Sequence, residues 1–176
     1  MASLVLTLIG QDRAGLVARV ADVVEAHGGN WESSRLAELD GTFAGVVQVS
    51  APTSRVVALT EDLERIDGLA ITVRAAEQSE AVTGARFSLQ VLGDDRPGIV
   101  REVSAALLRG GASIESMSTQ TREAAMSGGR LFETAATVRV PEGVAVADVA
   151  RELEGIAAEI QVDVATVDET VPAPLG

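Results

Sequence analysis

Cysteine, lysine and tyrosine are absent from this chain, and His27 is its only histidine. Each absence closes off a chemistry. Without cysteine there is neither a thiolate nucleophile nor a disulfide, which leaves the redox compartment open. Without lysine there is no Schiff base and no phosphate-loop lysine, and one histidine supplies neither a catalytic triad in each half nor a histidine metal cluster. The expectation is a non-enzyme with no cofactor and no metal. All 14 basic residues are arginine, and they face 26 acids for a net charge of −12. The deficit is even: residues 1–83 carry 6 Arg against 12 acids and residues 84–176 carry 8 Arg against 14. Those totals imply no basic face, which argues against direct contact with nucleic acid or anionic lipid. No apolar run approaches the roughly 18 residues of a membrane span, and Met1-Ala2-Ser3-Leu4-Val5-Leu6 has neither a basic leader nor a cleavage site. A soluble cytoplasmic protein is expected.

What is present is a repeat. Leu8-Ile9-Gly10-Gln11-Asp12-Arg13-Ala14-Gly15-Leu16-Val17 recurs 83 residues later as Val91-Leu92-Gly93-Asp94-Asp95-Arg96-Pro97-Gly98-Ile99-Val100. At the same offset Val20/Val103, Gly28/Gly111, Glu32/Glu115 and Ser33/Ser116 are also identical. Self-similarity on this scale indicates two copies of one domain, each near the lower size limit for folding around its own core. Each copy places an apolar β-like run before a Gly-bounded polar turn and a helical pattern after it. That is a strand, a loop and a helix N-terminus, where unpaired N–H groups and a partial positive charge can receive a small anion.

Taken in order, residues 3–9 read as a central strand closed by Gly10. Leu16, Val17, Val20 and Val24 recur at helical spacing until Gly28-Gly29 stop the helix. Residues 30–38 return to an extended pattern. Asp40-Gly41 is the dipeptide of a two-residue type I′ hairpin, and a strand over residues 42–50 follows. Pro52-Thr53-Ser54 offers a breaker and a cap for a helix carrying Val56, Leu59, Leu63 and Ile66, and Leu69, Ile71 and Val73 alternate as a last strand. The order is βαββαβ, a ferredoxin-like α+β arrangement with both helices on one face of a four-stranded antiparallel sheet. The second copy predicts strand 86–92, helix 97–109, strands 113–122 and 130–140, helix 144–158 and strand 160–167. The domains are thus placed at 1–76 and 85–168, with a linker at 77–84 and a loose tail at 169–176.

By Phe43/Phe132 the offset has grown from 83 to 89, and it is still 89 at Pro52/Pro141. The second hairpin therefore holds six extra residues, within Glu123-Ala124-Ala125-Met126-Ser127-Gly128-Gly129. Such a loop is either functional or a tolerated surface insertion.

These residues resemble the ACT domain, whose signature is a strand, a loop of Asp or Asn followed by Arg-Pro-Gly, a helix, and a glycine shortly before strand two. Asp95-Arg96-Pro97-Gly98-Ile99-Val100 with Gly111-Ala112-Ser113-Ile114 fits almost throughout, and Asp12-Arg13-Ala14-Gly15-Leu16-Val17 with Gly29-Asn30-Trp31 fits except for Ala14. Two such domains and nothing else resemble the glycine cleavage system transcriptional repressor family. The resemblance implies two ACT domains in tandem that bind a small amino acid, glycine or serine, where the loop of one domain faces the start of strand two of a paired one. It also implies a homodimer, a protein partner such as a transcription factor, and no direct contact with DNA. Carried onto this chain, Asp12 and Asp95 would receive the ligand's ammonium group, the amides near Gly15 and Gly98 its carboxylate, and Asn30 and Ser113 would complete the site. Arg13 and Arg96 are candidate carboxylate clamps, and Pro97 belongs to the loop signature.

Plainer readings stand beside these. Asp12 and Asp95 sit where a capping acid would sit; Arg13 and Arg96 could pair with nearby surface acids; Gly15 and Gly98 could serve tight packing of the helix start. Asn30 and Ser113 could belong to an ordinary turn, and His27 is explained by a helix C-terminus. Trp31 reads as an apolar packing or interface residue, and the Glu32/Glu115 and Ser33/Ser116 pairs as a shared structural feature. The alternative function is a ligand-independent interaction module.

Overall fold

The computed structural model describes residues 1–76, 83–123, 129–156 and 160–166. The chain divides into two units, residues 1–79 and 80–176. In the first, β1 (Ala2–Gln11) leads through a short loop to α1 (Leu16–Ala26). The hairpin β2 (Asn30–Leu39) and β3 (Thr42–Ala51) follows, then α2 (Val56–Glu64) and β4 (Leu69–Ala75). The second repeats this plan as β5 (Gly84–Asp94), α3 (Ile99–Arg109), β6 (Ser113–Glu123), β7 (Arg130–Pro141), α4 (Val146–Glu154) and β8 (Ile160–Thr166). The two sheets have the orders β2-β3-β1-β4 and β6-β7-β5-β8, every neighbouring pair antiparallel. Each unit is the expected ferredoxin-like βαββαβ fold.

Burial alternates along β1 although its sequence is apolar almost without a break. Leu4, Leu6 and Leu8 are buried, whereas Val5 is half-buried and Ile9 is exposed. A sheet covered by helices on one side only imposes that period. The buried row meets Leu16, Val20 and Val24 of α1, Leu59 and Leu63 of α2, and Val47 and Val49 of β3 in one core. Its counterpart in the second unit joins Phe87, Leu89 and Val91 to Ile99, Val103, Leu107, Val138, Val149 and Leu153. Trp31 and Val56 pack half-buried against the first core, as an apolar packing reading requires.

The repeated glycines after the first helix of each unit close it identically. Gly28 N–H donates to Glu25 O at 2.8 Å and Gly29 N–H to Val24 O at 2.9 Å, while Gly111 N–H donates to Leu108 O at 3.0 Å and Ala112 N–H to Leu107 O at 2.9 Å. These are paired Schellman closures, which need a left-handed residue at Gly28 and Gly111. The Asp40-Gly41 turn has φ of 50° and 75°, the positive pair a type I′ turn demands.

Several boundaries differ from expectation. Pro52-Thr53-Ser54 leads into a single 3-10 turn over Thr53–Arg55, and α2 starts at Val56 without any side-chain cap. The helix expected from residue 97 begins at Ile99, because Gly98 takes a left-handed conformation. The helix expected from residue 144 begins at Val146, because Gly143 turns at φ 86° and Val144 N–H closes that turn onto Pro141 O at 3.2 Å. The expected linker at 77–84 and tail at 169–176, and the insertion within 123–129, lie outside or largely outside the described residues.

Candidate functional site

The loop between the first strand and first helix has the same backbone in both copies. Asp12 N–H donates to Gly41 O and Asp95 N–H to Arg130 O, each at 2.8 Å, so both loops are anchored to the neighbouring hairpin. Gly15 and Gly98 follow at φ 87° and 92°, and each accepts the first helical hydrogen bond, from Arg19 and Glu102, at 3.0 Å. The N–H groups of residues 16–18 and 99–101 therefore precede the helical ladder. Among the described residues no side chain caps either helix, so Asp12 and Asp95 are not capping acids.

The two glycines are not there for tight packing. A Cβ on Gly15 would meet nothing within 4 Å, and one on Gly98 only Glu102 Oε1 at 3.9 Å. Their positive φ is what requires glycine. Pro97 and Ala14 are exposed beside them.

Both arginines of the motif face acids of their own unit. Arg13 Nη1 lies 3.9 Å from Asp67 Oδ2, and its guanidinium covers Gly68, where a Cβ would fall 2.4 Å from Nη2. Arg96 grips Glu102 as a fork, Nη1 to Oε1 at 2.9 Å and Nη2 to Oε2 at 2.6 Å. That hydrogen-bonded pairing holds the Glu102 carboxyl below its usual range. The acids of the motif differ between copies. Asp95 Oδ2 lies 3.5 Å from Arg130 Nε, whereas the Asp12 carboxylate has no hydrogen bond or ion pair among the described residues.

Asn30 and Ser113 stand at the far end of their sheets from these loops. Asn30 opens β2 opposite Ser50, which lies opposite Ser3 of β1, while the loop leaves β1 at Gln11. Eight strand residues separate the two rows, roughly 27 Å at 3.4 Å each. Ser113 opens β6 opposite Arg139 and Arg86 in the same way. A single unit does not bring its own loop and its own strand-two start together.

The identical Glu32/Glu115 and Ser33/Ser116 pairs mark a β-bulge in each second strand, where the register shifts between Trp31 and Ser33 and between Ile114 and Ser116. The bulged glutamate turns onto the next strand. Glu32 Oε1 accepts from Ser50 Oγ at 2.6 Å and from Asn30 Nδ2 at 3.3 Å, bonds that lower its pKa in that order. Glu115 pairs with Arg139 and with Arg86, the latter at 2.9 Å. Sequence identity signalled a shared feature here, but no local pattern distinguishes a bulge from a regular strand. His27, at the α1 terminus, places Nε2 2.9 Å from Asp62 Oδ2 on α2 and lowers that carboxyl's pKa, so its side chain links the two helices. A concavity of about 570 Å³ on the open face of the second sheet is lined by Gln90, Ser118, Gln120, Glu133 and Gln161, and among the described residues neither Asp95 nor Gly98 lines it.

A model of the ACT domain family matches residues 2–75. An unknown protein from Galdieria sulphuraria, solved by crystallography, is 31% identical, with 95% of this chain and 99% of that one covered at a TM-score of 0.80. A second crystal structure, of a protein provisionally named a glycine cleavage system transcriptional repressor, is 22% identical. It covers 96% of this chain and 98% of its own at a TM-score of 0.71, a likeness of fold. A search of the curated proteins returns no match. The family match covers the first unit, and the second repeats its strand order, bulge, loop and helix closure; the chain belongs to the ACT-domain family, as two such domains in tandem.

Proposed function

We propose that this chain is a regulatory module that binds a small amino acid, glycine or serine, and signals its presence to a protein partner, a transcription regulator, in the cytoplasm. The observation that carries the reading is the loop built twice: an uncapped helix start behind a left-handed glycine, with an acid at the loop's other end. A zwitterion needs both features. Its carboxylate would meet the N–H groups of residues 16–18 under the positive end of the helix dipole. Its ammonium group would meet Asp12, with Asp95 in the equivalent role. Gly15 and Gly98 leave the approach open, Pro97 fixes the backbone before it, and Arg13 and Arg96 are supports of the loop. Asn30 and Ser113 would act from a second ACT unit, within a homodimer or within one chain. Membership of a family whose loop signature the second copy carries, and the first carries except at Ala14, supports this reading, as does the name given to the 22% identical structure.

The test is a thermal-shift screen of the twenty amino acids on the intact protein. A ligand at ten times its Kd stabilises the native state by about 1.4 kcal/mol, which raises the melting temperature of a domain this size by roughly 6–11 °C. The expected result is a rise with one or two small amino acids, reduced in Asp12→Asn and lost when Asp95→Asn is added to it. No rise with any of the twenty at millimolar concentration refutes the sensor. Weight would then pass to the ligand-independent interaction module, which the exposed Ile9 and Val46 on the open face of the first sheet favour.

A further inference from the structure

The two loop acids have the same backbone anchor but different neighbours. Asp12 N–H donates to the carbonyl of Gly41 and Asp95 N–H to the carbonyl of Arg130, residues at the same place in their hairpins, 89 positions apart. In the first unit a two-residue turn joins β2 to β3 and requires φ 75° at that place, hence glycine and no side chain. In the second unit the longer connection lifts the requirement, and an arginine stands there. Its side chain is held on both sides: Nη2 donates to Thr121 Oγ1 at 2.7 Å and Nε faces Asp95 Oδ2 at 3.5 Å.

We propose that Arg130 is a resident counter-cation for Asp95, so that the two loops take an amino acid unequally and the first unit's loop is the tighter one. The inference rests on the amino-acid-binding reading. An incoming ammonium group meets an open carboxylate at Asp12, because the motif's own Arg13 is turned onto Asp67 and Gly68. At Asp95 it must displace or crowd a guanidinium of the same charge. The Arg130 side chain is 65% exposed, and a screened pair of this kind weakens a competitor several-fold without abolishing it. Loop length thus sets loop chemistry in two copies of one backbone.

The experiment is a titration of glycine, and separately of serine, into the full chain by NMR. The backbone amides of Val17 and Val100, in the first turns of α1 and α3, report on the two loops. In the wild type the Val17 response should saturate at a several-fold lower concentration than that of Val100. Arg130→Ala should bring the Val100 curve down toward that of Val17, and Arg130→Lys, which keeps the charge, should retain most of the difference. Asp12→Asn should remove the Val17 response and leave that of Val100. Equal wild-type curves, a tighter Val100, or a Val100 curve unmoved by Arg130→Ala would overturn the proposal while leaving amino-acid binding intact. No response at either amide in wild type or Arg130→Ala would overturn the binding reading and this inference with it.

Discussion

Gly15 offers the sharpest test of how the loop is built, because steric packing and backbone conformation give different numbers for its replacement. A Cβ there has no neighbour within 4 Å, so Gly15→Ala introduces no clash. What remains is φ 87°, where an alanine is disfavoured by about 1–2 kcal/mol. The unfolded alanine chain has less entropy to lose, which returns roughly 0.4–1 kcal/mol. The net expectation is a loss of about 1 kcal/mol. Urea unfolding followed by the fluorescence of Trp31 is suited to the measurement. Trp31 is the chain's only tryptophan and packs against the first unit's core, so its signal reports that unit. With an m-value of about 2 kcal/mol/M the midpoint should fall by about 0.5 M. Gly15→Asn, which tolerates a left-handed backbone better, should fall by less. An unchanged midpoint for Gly15→Ala would show that backbone conformation is not why glycine stands there. A loss above about 3 kcal/mol would show that packing, not φ, dominates.

Two further outcomes follow from the core and the charge pairs. Leu6 is fully buried at the centre of the first sheet, so Leu6→Ala should cost about 2–5 kcal/mol in the same Trp31 transition, and a loss under 1 kcal/mol would contradict the packing described. Arg96 lowers the Glu102 pKa in the folded state, so the pair's contribution is complete above the ordinary glutamate range and is lost as pH falls through the folded value. Arg96→Ala should therefore destabilise the second unit at pH 7 and draw closer to wild type as pH falls below the ordinary glutamate range, read by far-ultraviolet circular dichroism; a pH-independent difference would refute the linkage.

The elements were legible because their signals are local. Asp40-Gly41 specifies positive φ at two successive residues, and Gly28 and Gly111 stop helices by the same rule, so the hairpin and the helix ends could be read from a few letters each. The loop acids and glycines were legible through recurrence, but their surroundings were not. Whether Arg13 reaches a ligand or Asp67 depends on a turn 54 residues away in sequence. Whether Asp95 stands alone depends on which residue follows a hairpin loop, a fact that the shift of offset from 83 to 89 contained but did not interpret. The bulges at Glu32 and Glu115 arise from pairing register, and register belongs to two strands at once. Thr53 and Ser54 had the chemistry of a cap but were drawn into a 3-10 turn behind Pro52, where the helix begins without them.

The separation of the half-sites has a consequence for signalling on the proposed reading. In one unit the Asp12 loop and Asn30 stand at opposite ends of a sheet, eight residues of β1 apart, a span of roughly 27 Å. An amino acid is far shorter than that. A ligand in contact with both kinds of half-site must therefore bridge a loop of one ACT unit and a strand start of another. The contacts it makes with the second unit exist only when two units are paired, so that part of its binding free energy is differential between the paired and separate states. Differential affinity is all a population shift requires. No strand or helix within a unit has to move for the ligand to be felt: a rigid βαββαβ domain becomes a sensor when its site is completed by a neighbour. By reciprocity, any partner protein that favours the paired state must tighten amino-acid binding by the same factor by which the amino acid tightens partner binding.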